Sequence, residues 1–167
     1  RTGISGRLFQ ALGKNGINII AIAQGSSELN ISVVIPKTDE TKALNALHEA
    51  FFLSDTQELH LFMVGVGLIG GTLLDQIKEQ AAFLLEKRSL EIKVVGLANT
   101  KTMTFNPEGI DLDNWKSTLA ASEQNSDLPS FIAEMKNLNL TNSIFIDNTA
   151  NEAVAGYYES ILDHSIS

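Results

Sequence analysis

The chain has 167 residues, 44% hydrophobic and 19% charged, enough to bury the core of one ordinary domain or two small ones. Twelve Lys and Arg against twenty Asp and Glu leave a net charge of −8, which argues against nucleic acid as the main partner because phosphate backbones demand clustered cations. The absence of cysteine removes disulfides, thiolate nucleophiles and cysteine zinc sites and fits a reducing cytoplasm, while no signal peptide and no apolar run long enough for a membrane span is visible.

Residues 5–15 are predicted to form a helix with Leu8, Ala11 and Leu12 on one face and Asn15-Gly16 as its stop. Two β-branched runs follow, Ile17 to Ala23 and Asn30 to Ile35, joined by the polar turn Gln24-Gly25-Ser26-Ser27-Glu28. Ile31, Val33 and Ile35 point one way and Asn30 and Ser32 the other, and Pro36 ends the run. Thr38-Asp39-Glu40 opens a second helix with a stripe of Ala43, Leu44, Leu47, Ala50 and Phe51. Ser54-Asp55-Thr56-Gln57 reads as a short joint.

Beyond the joint, a strand over 59–64 enters the loop Gly65-Val66-Gly67-Leu68-Ile69-Gly70, and a helix over about 68–87 leaves it. A G-x-G-x-x-G between strand and helix has a physical logic. The first glycine permits a tight turn, the second lets backbone approach a pyrophosphate, and the third lets helix and strand pack closely. A tight turn without ligand and an S-adenosylmethionine domain are the competing readings. Ile92 to Ala98 forms the next strand, apolar enough to be buried on both faces. Helices are predicted over 111–122, with Leu112, Trp115 and Leu119 inward, and over 127–138, started by Asp127 and Pro129. Ser143 to Asp147 is a third strand and Glu152 to Asp163 a last helix. Strands alternating with helices define an α/β class, with about half of a six-stranded dinucleotide fold present.

An NAD binder places an acid at the end of the second strand to hold the ribose 2′-hydroxyl. Here that end reads Gly96-Leu97-Ala98-Asn99-Thr100-Lys101, with no carboxylate. Asn, Thr and Lys donate to a 2′-phosphate, so NADP is expected to be accepted, with Lys101 as the cation or, on the plainer reading, a solvated loop lysine. At the third strand's end Asn151 reads as a helix cap, and Thr149 stands equally for a cap or a cofactor contact. In the first part, the amide oxygens of Gln24 and Asn18 suit an ammonium group, and the helix start at Ile4 to Arg7 suits a carboxylate, together fitting a free amino acid; an amide closing a turn is the alternative. His48, His60 and His164 have no partner at metal or triad spacing, and no catalytic group is recognisable.

Arg1-Thr-Gly-Ile-Ser-Gly-Arg-Leu-Phe-Gln-Ala-Leu12 and the segment Ile17 to Ile35, with its Ala-Gln-Gly-Ser-Ser-Glu motif, resemble the second ACT domain of aspartokinases. The glycine loop, Val95 to Lys101 and Ile146-Asp-Asn-Thr149 resemble the cofactor half of homoserine dehydrogenase, and their direct junction resembles the bifunctional aspartokinase–homoserine dehydrogenase family of threonine and methionine synthesis. The resemblance covers essentially the whole chain. It implies a partial ACT module (ferredoxin-like α+β) over 1–56 and a partial Rossmann-type parallel sheet with flanking helices over 57–167. It further implies reduction of aspartate semialdehyde to homoserine by NADP, with NAD possible, under threonine feedback. By position, Gln24 and Asn18 become effector contacts, and Val66, Gly67, Leu68, Ile69, Ala98, Asn99 and Thr149 line the cofactor beside Gly65 and Gly70. Relatives often carry Cys or Ser around Thr149, so of Asn148-Thr149-Ala150-Asn151 only Thr149 transfers. Both chain ends read as cuts through a longer protein. The kinase domain and first ACT domain are expected upstream and the catalytic lysines, substrate acids and metal loop downstream, so that this chain alone binds without turnover. Self-association through ACT domains is expected, and a non-catalytic amino-acid and nucleotide sensor is the alternative function.

Overall fold

The computed structural model describes residues 3–25, 30–52 and 56–167, which fall in two compact units, Arg1–Asp55 and Thr56–Ser167. The expected polar turn at Ser26-Ser27-Glu28 and the joint at Ser54-Asp55 lie outside the described residues.

In the first unit, helix α1 (Ile4–Lys14) buries Leu8 and Leu12. Its N-cap is Gly3 at φ +89°, and Ile17 N–H returns to the Leu12 carbonyl at 3.0 Å to close the far end. Strands β1 (Ala21–Gln24) and β2 (Ile31–Val34) pair antiparallel, with Ala21 opposite Val34 and Gln24 opposite Ile31. The expected strand from Ile17 is therefore cut to its second half. Continuing the register places Pro36 opposite Ile19, and proline has no N–H for the ladder. A 3₁₀ turn (Lys37–Asp39) leads into α2 (Glu40–Phe52). Ile31, Val33 and Ile35 pack with Leu47 and Phe51 around Leu8, Leu12, Ile17 and Ala43, as the alternation predicts. Leu44 departs from the predicted stripe: it is 61% exposed, and Ala46 takes the buried place three residues after Ala43.

The second unit is a four-stranded sheet in the order β5-β4-β3-β6. Strand β3 (Gln57–Val64) lies parallel between β4 (Leu90–Ala98) and β6 (Ser143–Asp147), and β5 (Met103–Phe105) runs antiparallel on the outer side of β4. Helix α3 (Leu68–Arg88) is the crossover from β3 to β4. Alternation along β3 sends Leu61 and Met63 to one face and Phe62 and Val64 to the other. The first pair meets Leu74 and Ile77 of α3 and Trp115 and Leu119 of α4 (Trp115–Ala120), and the second meets Phe131, Ile132 and Met135 of α5 (Leu128–Leu138). Both faces are covered, which explains the near-continuous apolar β3 and β4. The predicted helix over 111–122 is confined to α4. The predicted last helix is a 3₁₀ segment (Glu152–Tyr157) followed by α6 (Tyr158–Leu162).

A bulge lets β4 serve both faces. Leu61 pairs with Val94 but Phe62 pairs with Gly96, so Val95 is an extra residue in the ladder. A Cβ at Gly96 would lie 2.8 Å from the Phe62 ring and 2.9 Å from the Phe105 ring, so glycine here is the condition for both aromatics to pack. Gly96→Ala is expected to destabilise this unit by about 1–3 kcal/mol, read as a lower urea midpoint at unchanged denaturant dependence.

Candidate functional site

The carboxyl ends of β3, β4 and β6 converge on a cavity of about 530 Å³. That volume is in the range of small-molecule sites, and its position outside the carboxyl ends of parallel strands is where open α/β sheets bind ligands. Its lining is Val64, Gly65 and Gly67 from the first turn, Ala98, Asn99 and Thr100 from the second, and Asn148 to Asn151 with Val154 from the third. Ser126, Asp127, Leu128 and Phe131 close the remaining wall.

The three glycines act differently. Gly65 has φ +84°, and a Cβ on it would sit 2.7 Å from the Asn148 carbonyl carbon and 2.8 Å from Thr149 N. Two backbones touch there. Gly67 caps α3 at φ −77° and lines the cavity, and a Cβ on it would meet no protein atom within 4 Å. Gly70 is buried, and a Cβ on it would run into the Gly65 carbonyl oxygen. Leu68 and Ile69 are 88% and 71% exposed and are not part of the lining; the N–H groups in the first turn of a helix have no partner within it, which suits such a turn to an anion. Val66 turns its side chain into the core beneath α3.

Asn99 Oδ1 accepts from the N–H groups of Lys101 at 2.7 Å and Thr102 at 2.8 Å. The amide group it presents to a ligand is therefore the donor Nδ2. Lys101 is exposed beyond the cavity lining. In the third turn Asp147 Oδ1 accepts from Thr149 N–H at 2.8 Å and Thr149 Oγ1 at 2.7 Å, and its Oδ2 accepts from the Tyr158 hydroxyl at 2.7 Å. Burial pushes the Asp147 pKa up, but the bonds from the Thr149 hydroxyl, the Thr149 N–H and Tyr158 outweigh it and hold the carboxyl below its usual range. Thr149 thus braces the turn and lines the cavity together, and Asn151 caps the 3₁₀ segment through Ala153 N–H at 3.0 Å. Asn148 lines the cavity, and its Nδ2 is buried on the Gly70 side without a hydrogen-bond partner. An orphaned donor of this kind costs about 1–3 kcal/mol. The glycine turn and the helix start at Gly67, on the cavity wall, fit a dinucleotide.

The remaining residues singled out from the sequence are not part of this lining. Gln24 pairs across the β1–β2 ladder and Asn18 precedes it; both are exposed. The Arg7 guanidinium is engaged by the Ala50 carbonyl at 2.5 Å and stands 5.6 Å from the centre of the Phe51 ring. His60 is buried and, because a carbonyl only accepts, donates from Nδ1 to Thr141 O at 2.6 Å, while His164 bonds Ser160 O at the surface. Among the described residues no group of His, Asp and Glu is arranged to hold a metal, and no helix is long and apolar enough to cross a membrane. Ser126, Asp127 and Asn148 were not singled out as ligand contacts by sequence reasoning; Asp127 was legible only as the cap of α5.

A parallel βα unit whose glycine turn opens onto such a crevice defines a dinucleotide-binding module, here preceded by a separate αββα unit. Comparison with known proteins specifies both. Residues 1–51 match the family model described as "ACT domain", and residues 65–167 match "Homoserine dehydrogenase, NAD binding domain". The chain belongs to the bifunctional aspartokinase/homoserine dehydrogenase family. It is 43% identical over 157 residues to the chloroplastic bifunctional aspartokinase/homoserine dehydrogenase 2 of Arabidopsis thaliana, covering 93% of this chain and 17% of that one. It is 39% identical over 160 residues to the bifunctional enzyme of Haemophilus influenzae, covering 96% and 19%. The chain thus spans less than a fifth of the length of these two relatives. The homoserine dehydrogenase of Thermoplasma acidophilum superposes with a TM-score of 0.48 at 18% identity, over 66% of this chain and 34% of that one.

Two outcomes are expected. Gly65→Ala loses both thermal stability and dinucleotide binding, because its Cβ strikes backbone at a positive φ, whereas Gly67→Ala keeps its melting temperature and binds about tenfold more weakly; melting curves and fluorescence titration with NADPH separate the two. For Asp147 the folded pKa lies below the unfolded value of about 3.9. Its contribution is complete above that value and is lost as pH falls through the folded pKa. The stability gap between the wild type and Asp147→Asn should therefore be flat near neutrality and close in strong acid, as followed by urea midpoints.

Proposed function

We propose that residues 57–167 bind a nicotinamide dinucleotide along the crevice, and that in the full-length protein this module serves the NADP-dependent interconversion of aspartate semialdehyde and homoserine. The single observation that carries the reading is the cavity at the carboxyl ends of the parallel strands, lined by Gly65 and Gly67 at the start of α3 and by the turns that follow β4 and β6. Gly65 and Gly70 shape the turn. Leu68 and Ile69 supply N–H groups, Ala98 provides a small buried wall, and Thr149 stands at the third turn. Asn99 Nδ2, Thr100 and Lys101 receive a ribose 2′-phosphate, so NADP is used and NAD is tolerated. When bound, the dinucleotide supplies the hydride chemistry; the residues named here bind and orient it, and turnover requires groups supplied by the rest of the full-length protein.

Residues 1–56 form the regulatory ACT part. Its effector is a free amino acid, threonine in this reading, with Gln24 and Asn18 accepting from its ammonium group, and copies associate through this part. Family membership and the ACT match support the class of effector. A chain without cysteine suits the cytoplasm, while the Arabidopsis relative is named as chloroplastic.

The experiment is calorimetry on this chain with NADPH, NADH, S-adenosylmethionine and threonine, paired with an aspartate semialdehyde reduction assay on the full-length protein. Saturable dinucleotide binding with no turnover by the chain alone is expected. Binding of S-adenosylmethionine with no binding of either dinucleotide overturns the reading, and a full-length protein that binds but never reduces the aldehyde points to a sensor instead.

A further inference from the structure

The end of β4 carries no acid, yet the cavity it borders contains one. An isolated antiparallel bridge pairs Thr102 with Asn125, and Ser126 N–H donates to the Lys101 carbonyl at 2.9 Å. These contacts fasten the N-terminal cap of α5 to the turn that follows β4. Asp127 therefore lines the same cavity as Asn99 and Thr100, the two residues at the position where a dinucleotide fold reads the ribose 2′ substituent. It is the only charged residue in that lining among the described residues, because Lys101 stands outside it.

We propose that Asp127 sets the balance between the phosphorylated and unphosphorylated dinucleotides in this crevice, opposing a 2′-phosphate by charge and accepting from a 2′-hydroxyl. This deepens the dinucleotide reading above and rests on it. Both bonds from Ser130, from its N–H at 2.9 Å and from its hydroxyl, go to Oδ2. They keep the carboxyl below its usual range and hence ionised at neutral pH, and Oδ1 is the oxygen left for a ribose hydroxyl. A phosphomonoester brings close to two negative charges to the same wall. The donors at Asn99, Thr100 and Lys101 pull the other way, so the site admits both dinucleotides and Asp127 restrains the preference for the phosphorylated one.

The test separates charge from capping. Serine is a competent helix cap without a charge, so Asp127→Ser removes the carboxylate and retains the cap, and Asp127→Asn is the second variant. NADPH and NADH are titrated by fluorescence into the 167-residue chain at low salt and again at roughly 0.5 M salt, where surface electrostatics are screened. For Asp127→Ser, NADPH binding is expected to tighten about three- to tenfold while NADH binding stays constant or weakens, with most of the difference vanishing in high salt. Equal changes for both dinucleotides, or none in either variant at an unchanged melting temperature, overturn the assignment. If Asp127→Ser melts below the wild type, Asp127→Asn decides by the same criterion. Wild-type chain that binds neither dinucleotide overturns the parent reading along with this one, an outcome distinct from binding with an unaltered ratio.

Discussion

The contact on which the crevice depends is between two pieces of backbone: Gly65 and the peptide joining Asn148 to Thr149. No side chain fits between them. The contact fixes the end of β3 against the end of β6, and Gly70 then seats the first turn of α3 on the Gly65 carbonyl. Gly65 N–H also reaches the Ala98 carbonyl at 2.9 Å, and Asn148 N–H reaches the Val64 carbonyl at 2.9 Å. All three strand ends are thereby placed by main-chain groups. In a chain of net charge −8 this matters electrostatically, because an anionic ligand has few cations to rely on and must be met by oriented N–H groups at a helix start.

Beneath that contact the sheet is a partition between two apolar layers, one under α3 and α4, the other under α5. The β4 bulge adjusts the strand so that Val94 and Leu97 serve the first layer while Val95 and Ala98 serve the second. Gly96 is the gap into which the Phe62 and Phe105 rings fit. Small residues are thus placed where something else must come close: a ring at Gly96, a peptide at Gly65, open cavity at Gly67.

Much of this was legible because periodicity and punctuation carry it. Ser143–Asp147 coincides with its predicted span, and Asp127 and Pro129 mark the start of α5 through a cap and a pre-set φ. β5 was not legible: Met103-Thr104-Phe105 alternates over only three residues, too short a pattern to read, and pairs along the edge that β4 offers. The last helix was overextended because Gly156 weakens a continuous α-helix, and a 3₁₀ turn forms through it. The first strand was overextended because Pro36, on the partner run, withholds the N–H that Ile19 would need. At the site, the glycines and Asn99 announce themselves by motif and position. Ser126, Asp127 and Asn148 join them only through tertiary structure, and the cap function of Asp127 conceals that it also faces the cavity. Leu68, Ile69 and Val66 show the converse: a resemblance transfers positions along the chain, while the direction of each side chain is set by the local turn.

The central place of β3 also has a kinetic consequence. Its pairing with β4 closes through one helix, whereas its pairing with β6 bridges a far longer stretch; eighty-four residues separate Asn142 from the Glu58 carbonyl it bonds. Loop closure makes such distant parallel pairing the slower event. During synthesis β3, α3 and β4 emerge together, and β3 then waits with one apolar edge open until β6 arrives. The peptide that locks Gly65 comes with that late strand, so the crevice is completed last. Any ligand that requires it, entering at that stage, shifts the balance toward the finished fold by mass action.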